Sequence, residues 1–275
     1  MIDSTNVLYA FLLTAFAGLS TGIGSTIAFM AKSTNTKLLT VSLGFSAGVM
    51  IYISFVEIFA EARLSFIENY GEFTGTLYTI SAFFGGILLI ALIDRFIPSF
   101  ENPHEMHTLE EMDEKKGKPK NNKLYRLGIL TALAVAIHNF PEGIATFMTV
   151  MHDPKIGLAI AIAVAIHNIP EGIAVSVPIF YATGSRKKAF CYSFLSGLSE
   201  PVGAVIAYLL LMPLFTSENS GALFGASMAA VAGIMVFISI DELLPSAEEF
   251  GEHHWGVWGL IGGMFVMAVS LLLLN

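Results

Sequence analysis

Apolar residues do not alternate with polar ones along this chain; they run in long blocks. Mostly uncharged, apolar stretches recur over approximately 6–30, 38–60, 77–97, 126–151, 156–180, 188–212, 221–247 and 254–274. Each matches the roughly 20 residues that one helix needs to cross a bilayer core. Helices of a soluble core would be shorter and would carry a polar stripe. The pattern predicts an all-α integral membrane protein with eight transmembrane helices, forming a single domain over 1–275.

Composition agrees, with 55% hydrophobic and only 13% charged residues, against about 25% charged in soluble chains. The single cysteine, Cys191, falls inside a predicted span, so neither a disulfide framework nor a thiolate metal cluster is expected. The N-terminus lacks the basic region and small-residue cleavage site of a secretory signal, which makes the first span a retained helix.

Charge sets the orientation. With the N-terminus outside, the inward loops collect all of the 14 Lys and Arg except Arg63 and Lys155. That is a strong positive-inside bias, and it places both termini on the extracytoplasmic side. The only long connection, 98–125, holds His104, His107 and several acids, followed by a basic run. It buries too little apolar surface to order itself, so we expect a mobile cytoplasmic loop. There His104 and His107 either capture metal or belong to a solvated charge cluster.

Internal repeats define the architecture further. Gly18-Leu19-Ser20 in span 1 is echoed by Gly197-Leu198-Ser199 in span 6. Ala47-Gly48-Val49-Met50 through Glu57 in span 2 is echoed by Ala232-Gly233-Ile234-Met235 through Glu242 in span 7. Gly85-Gly86 in span 3 is echoed by Gly262-Gly263 in span 8. The offsets are 179, 185 and 177. Spans 4 and 5 repeat each other at offset 29: the segments from Ala134 to Ala145 and from Ala163 to Ala174 differ only at Phe140 and Ile169. Five crossings separate spans 1 and 6, so they run oppositely, as do spans 4 and 5. The expected plan is a 3+2+3 inverted-repeat arrangement, as in transporters whose site lies near the bilayer midplane.

Chemistry concentrates in that fourth–fifth repeat. Ionisable side chains inside a bilayer are expensive and are functional candidates by default. His138, Glu142, His167, Glu171 and Glu200 each sit near the centre of a span. At about 100° per residue, Glu142 lies angularly between His138 and Asn139, and Glu171 between His167 and Asn168. Two such helices facing each other predict adjacent metal positions bridged by two glutamates. Pro141, Pro170 and Pro201 each free a carbonyl one turn back, which either shapes packing or helps hold an ion. Imidazole with carboxylate and amide oxygen suits Zn²⁺, Fe²⁺, Co²⁺, Mn²⁺ or Cd²⁺, whereas Ca²⁺ would take six to eight oxygens. Met50 and Met235 fall at mid-span, where methionine commonly serves packing; Met50 is also a candidate soft ligand. Glu57 lies outward of centre, and Asp241 with Glu242 inward, so they read as carboxylates at the mouth and the exit of a path. His253 and His254 are candidate late contacts on the cytoplasmic side.

Together, the paired His-Asn-x-Pro-Glu-Gly motifs at 138–143 and 167–172, Glu200-Pro201, Ala47-Gly48-Val49-Met50 and Asp241-Glu242-Leu243-Leu244-Pro245 resemble the ZIP (ZRT/IRT-like) family of divalent metal transporters. The likeness covers essentially the whole chain and is greatest to the family's bacterial zinc-uptake branch. It implies uptake of zinc, with Fe²⁺, Cd²⁺, Co²⁺ and Mn²⁺ as further substrates, across the cell (inner) membrane. It also implies a first metal position at His138, Glu142, His167 and Glu171 with Met50, and a second at Asn139, Glu142, Asn168, Glu171 and Glu200. Members are similar in having two helix bundles that move against each other, often as homodimers. One departure is that many relatives carry a His-rich tract where this loop has only two His. No catalytic cofactor and no nucleic-acid partner are expected; the partners are divalent ions and lipid. The alternative is an intramembrane metal-dependent hydrolase, but that chemistry needs His-Glu-x-x-His, and Asn follows each His here. No phosphate-binding Gly-rich loop is present, so ATP is not the expected drive.

Overall fold

The computed structural model describes residues 4–30, 36–96, 122–214, 220–249 and 253–274, and no strand occurs among them. In chain order the helices are α1 (Ser4–Met30), α2 (Thr36–Ile53), α3 (Phe59–Tyr70), α4 (Glu72–Phe96), α5 (Asn122–His152), α6 (Pro154–Thr183), α7 (Arg186–Gly197), α8 (Ser199–Ile206), α9 (Ser220–Ile238), α10 (Leu244–Glu249) and α11 (His253–Leu274). A π turn at Ser54–Ile58 joins α2 to α3 without a break, another at Ser239–Leu243 joins α9 to α10, and a third at Ala207–Leu211 follows α8. Among the described residues, seven helical segments are long and apolar enough to cross a membrane. α5, at 31 residues, is not among them and is less apolar along its length than α6. The loop residues His104 and His107 lie outside the described residues, as does the side chain of His253.

Boundaries follow local chemistry. The second membrane helix runs on to Tyr70, beyond the expected end near 60, and stops at Gly71, whose φ of 77° suits glycine. Its added turns carry Glu61, Arg63 and Glu68, charges that an apolar-block reading assigns to a loop. Gly184, with φ 65°, ends α6 in the left-handed region, and the Ser185 side chain then caps α7 by accepting from Lys188 N. Of the three mid-span prolines, only Pro201 accompanies a break, at Leu198 between α7 and α8; Pro141 and Pro170 lie inside continuous helices.

Polarity is arranged inside out. Large apolar side chains such as Phe84, Leu88, Phe265 and Leu273 are exposed, while His138, Asn139, Glu142, His167, Asn168, Glu171 and Glu200 are at most 2% exposed. Of the seven apolar segments, α6 is the most enclosed, with 72% of its apolar window buried, against 22% for α4 and 28% for α11. α1, α5, α6, α7 and α8 pack together, and α2, α3, α4, α9 and α11 form a second group; α2 touches α6 and α9 touches α5.

Close backbone approaches obey the sequence offsets. A Cβ at Gly48 would lie 2.1 Å from the Leu260 carbonyl oxygen, and one at Gly233 would lie 2.0 Å from that of Phe83. Gly263 meets the Phe45 carbonyl oxygen at 2.1 Å and Gly86 meets that of Ala230 at 2.0 Å. Offset 185 carries Gly48 to Gly233 and Phe45 to Ala230; offset 177 carries Phe83 to Leu260 and Gly86 to Gly263. α2 against α11 is thus packed as α9 is against α4. The π turns that follow α2 and α9 also stand 185 residues apart.

Candidate metal centre

Depth is set by a one-residue turn. Asp153 alone separates α5 from α6, in extended conformation, and its carboxylate accepts from Lys155 N at 2.8 Å and Ile156 N at 3.2 Å, with Pro154 opening the helix. The two helices pack against each other as a hairpin. Counted from this turn at 1.5 Å per residue, His138 and His167 lie about 21 Å and about 20 Å along their helices. The repeated motif therefore meets itself at one level.

The pairing crosses between helices. His167 Nε2 is 3.1 Å from Glu142 Oε2, and His138 Nε2 is 3.3 Å from Glu171 Oε2. Helical spacing alone placed Glu142 beside His138 of its own helix; the hairpin brings the other His instead. With its amide nitrogen turned to the acceptors, Asn139 donates to Glu171 Oε2 and to Val135 O, both at 3.1 Å. Asn168 donates to Ala17 O on α1 at 3.0 Å and to Glu200 Oε1 on α8. α8 comes this close because Gly143 presents no side chain: a Cβ there would be 2.0 Å from the Glu200 carbonyl oxygen.

Capacity is left over. Glu142 Oε1, Glu171 Oε1, Glu200 Oε2, Asn168 Oδ1 and the Nδ1 atoms of His138 and His167 are buried without a hydrogen-bond partner. Buried acceptors are rarely left so, because desolvation is then uncompensated. The four oxygens, beside the imidazole Nε2 atoms of His138 and His167, are donors of the kind transition metals accept. The His–Glu contacts remain pairs: among the described residues no group of three or more His, Cys, Asp or Glu is arranged to hold a metal ion.

Around this cluster, Met50 is fully buried one turn beyond Ser46, whose hydroxyl lies 3.5 Å from the His167 carbonyl oxygen. Glu242 reaches in, its Oε2 3.5 Å from His138 Nδ1. Glu57 is half-buried, and Asp241 and His254 are exposed. Cys191 is exposed and unbonded. Sequence reasoning overlooked three buried hydroxyls without partners, Thr40 Oγ1, Ser54 Oγ and Thr146 Oγ1. Thr146 was legible, one turn beyond Glu142 on the same face. The carbonyl of Ala17 carried no signal.

A helical membrane protein with a buried His, Asn and Glu centre belongs to the class of intramembrane ion-handling proteins. Residues 99–271 match the family described as ZIP Zinc transporter. The chain is 60% identical to the zinc transporter ZupT of Nitratidesulfovibrio vulgaris, over 99% of each chain. It is 60% identical to that of Streptococcus mutans serotype c, over 98% of this chain and 99% of the relative, and 61% identical to that of Oceanobacillus iheyensis, again over 98% and 99%. The chain belongs to the ZIP zinc transporter family.

Proposed function

We propose that the protein carries divalent transition-metal ions, zinc first, into the cytoplasm through the α5–α6 hairpin centre. The observation that carries this reading is the set of unpartnered oxygen atoms on Glu142, Glu171 and Glu200 beside two buried imidazoles. Three carboxylates nearly balance two divalent cations, so dehydrated ions are tolerated there. The His–Glu nitrogen–oxygen separations of 3.1 and 3.3 Å are close to the edge, about 3.4 Å, of a tetrahedron with bonds of 2.0–2.1 Å. Each pair can therefore become two ligands of one ion with little movement. His138, Glu142, His167 and Glu171, with Met50 behind them, would form one position; Asn139, Glu142, Asn168, Glu171 and Glu200 the second. The names of the relatives favour zinc and a transporter rather than an enzyme.

In the same reading α5 is the eighth span, and the chain is a 3+2+3 inverted repeat with both termini outside the inner membrane. Equivalent glycine–carbonyl approaches under the offsets 185 and 177 support the repeat. A divalent ion moving inward gains about 4.6 kcal/mol at 100 mV, taking about 2.3 kcal/mol per charge, which can sustain uptake without a nucleotide.

Metal flux into proteoliposomes tests this, comparing the native protein with Glu142→Ala and Glu171→Ala across Zn²⁺, Cd²⁺, Fe²⁺, Mn²⁺ and Ca²⁺. Saturable transition-metal flux lost in both variants, with Ca²⁺ inert, is expected. Folded protein that binds zinc without flux above empty vesicles would refute transport and favour a hydrolase.

A further inference from the structure

Two of the three π turns among the described residues carry one glutamate at the same place, Glu57 in Ser54–Ile58 and Glu242 in Ser239–Leu243; the third, Ala207–Leu211, carries none. A π turn adds a residue to the helical ladder and is often found at functional sites. Glu242 uses its position to bring Oε2 to 3.5 Å from His138 Nδ1. The counterpart of Glu242 at offset 185 is Glu57, and the counterpart of His138 at offset 29 is His167. Both Nδ1 atoms lack a hydrogen bond, so the Glu242 contact is an ion-pair approach at 3.5 Å. The second contact is not made, since no ion pair joins Glu57 to His167, which is only 1% exposed.

Elsewhere the two halves correspond closely. Gly143 approaches the Glu200 carbonyl oxygen as Gly172 approaches that of Thr21, both at 2.0 Å for an added Cβ. Gly203 approaches the Phe140 carbonyl oxygen at 2.2 Å as Gly24 approaches that of Ile169 at 1.9 Å. The glutamate–histidine contact stands out as a feature that the repeat offers twice and the structure uses once. Two turns beyond Glu57 on the same continuous helix, a cavity of about 310 Å³ lies between Ser65, Glu68, His152 and Phe224, at the ends of α3 and α5 and the start of α9.

We infer that Glu57 is a positioning residue for His167, engaging its Nδ1 in a second state of the protein in which Glu242 has left His138. This rests on the transport reading above and on its inverted repeat. A carboxylate on Nδ1 fixes the ring so that Nε2 faces the metal, and the same side chain then stands across its own half of the path. Engagement of Glu242 therefore closes the inner half, and engagement of Glu57 closes the outer half.

Cross-linking in native membranes tests the pairing independently of flux. In a Cys191→Ser background, a short bifunctional thiol reagent is applied to three double variants: Glu242→Cys with His138→Cys, Glu57→Cys with His167→Cys, and Glu57→Cys with His138→Cys. The first two pairs should link and the third should not. Because these variants lose a histidine, a second measurement keeps both: Ser65→Cys in the same background reports thiol labelling from outside. Loss of one charge-assisted contact should shift the balance by about tenfold, so Glu57→Gln should speed this labelling and Glu242→Gln should slow it. Failure of the Glu57–His167 pair to link while Glu242–His138 links, linking of the third pair, or labelling shifts in one direction would overturn the inference. Absent flux with both linkages intact would count against transport, not against the pairing.

Discussion

Alanine at Gly86 or Gly263 should loosen the second helix group, while alanine at the neighbouring Gly85 or Gly262 should not. Each Gly-Gly pair has one member pressed on a backbone and one in open surroundings. A Cβ at Gly86 would be 2.0 Å from the Ala230 carbonyl oxygen, and one at Gly263 would be 2.1 Å from that of Phe45; at Gly85 and Gly262 nothing lies within 4 Å. Ordinary contact begins near 3.4 Å, so α4 and α9, or α2 and α11, must separate by roughly 1.4 Å. The obstacle is main chain, which no rotamer change removes. Overpacking of this kind costs about 1–3 kcal/mol. Lipid gives no hydrophobic compensation for lost packing between membrane helices. At Gly85 and Gly262 the helical preference for Ala over Gly, about 0.5–1 kcal/mol, is unopposed. Thermal unfolding of the four single variants in one detergent should give two falls of several degrees and two midpoints at or above the native one. Equal losses at Gly85 and Gly86 would refute the argument, since the two share sequence context and differ only in what they touch.

Three further outcomes can be checked. Gly143→Ala should push α8 from α5 by a distance several times the ~0.2 Å tolerance of ligand geometry, lowering zinc affinity in calorimetry more than the neutral control Gly85→Ala does. Thr146→Val removes a buried hydroxyl without a partner, so the melting temperature should hold or rise while metal flux falls; unchanged flux would take Thr146 off the path. Zinc at about 100 times its dissociation constant should stabilise the native protein by about 2.7 kcal/mol in a thermal shift assay, with Ca²⁺ inert and the effect abolished in Glu142→Gln.

Much of this was legible beforehand because membrane helices and repeats write themselves into sequence directly. Apolar block length located the helices, and the twelve-residue motif at offset 29 located the centre. What escaped depends on how helices face each other. Spacing within one helix paired Glu142 with His138, but a one-residue turn at Asp153 decides that His167 comes closer. The π turns left no mark either, because Ser54–Ile58 and Ser239–Leu243 read as ordinary helix. Which glycine of each pair is compressed was equally hidden, being set by the neighbouring helix.

The Asp153 turn also bears on how the chain enters the membrane. In the proposed eight-span reading, α5 taken alone would expose His138, Asn139 and Glu142 to hydrocarbon, and a charged group at a span centre costs about 2.5–3.5 kcal/mol on insertion scales. Arriving with α6 through a turn of one residue, it finds His167 and Glu171 already at the matching level, and each helix supplies the hydrogen bonds that the other needs. The centre proposed to hold the ion is then also the clasp by which two reluctant helices enter lipid as one.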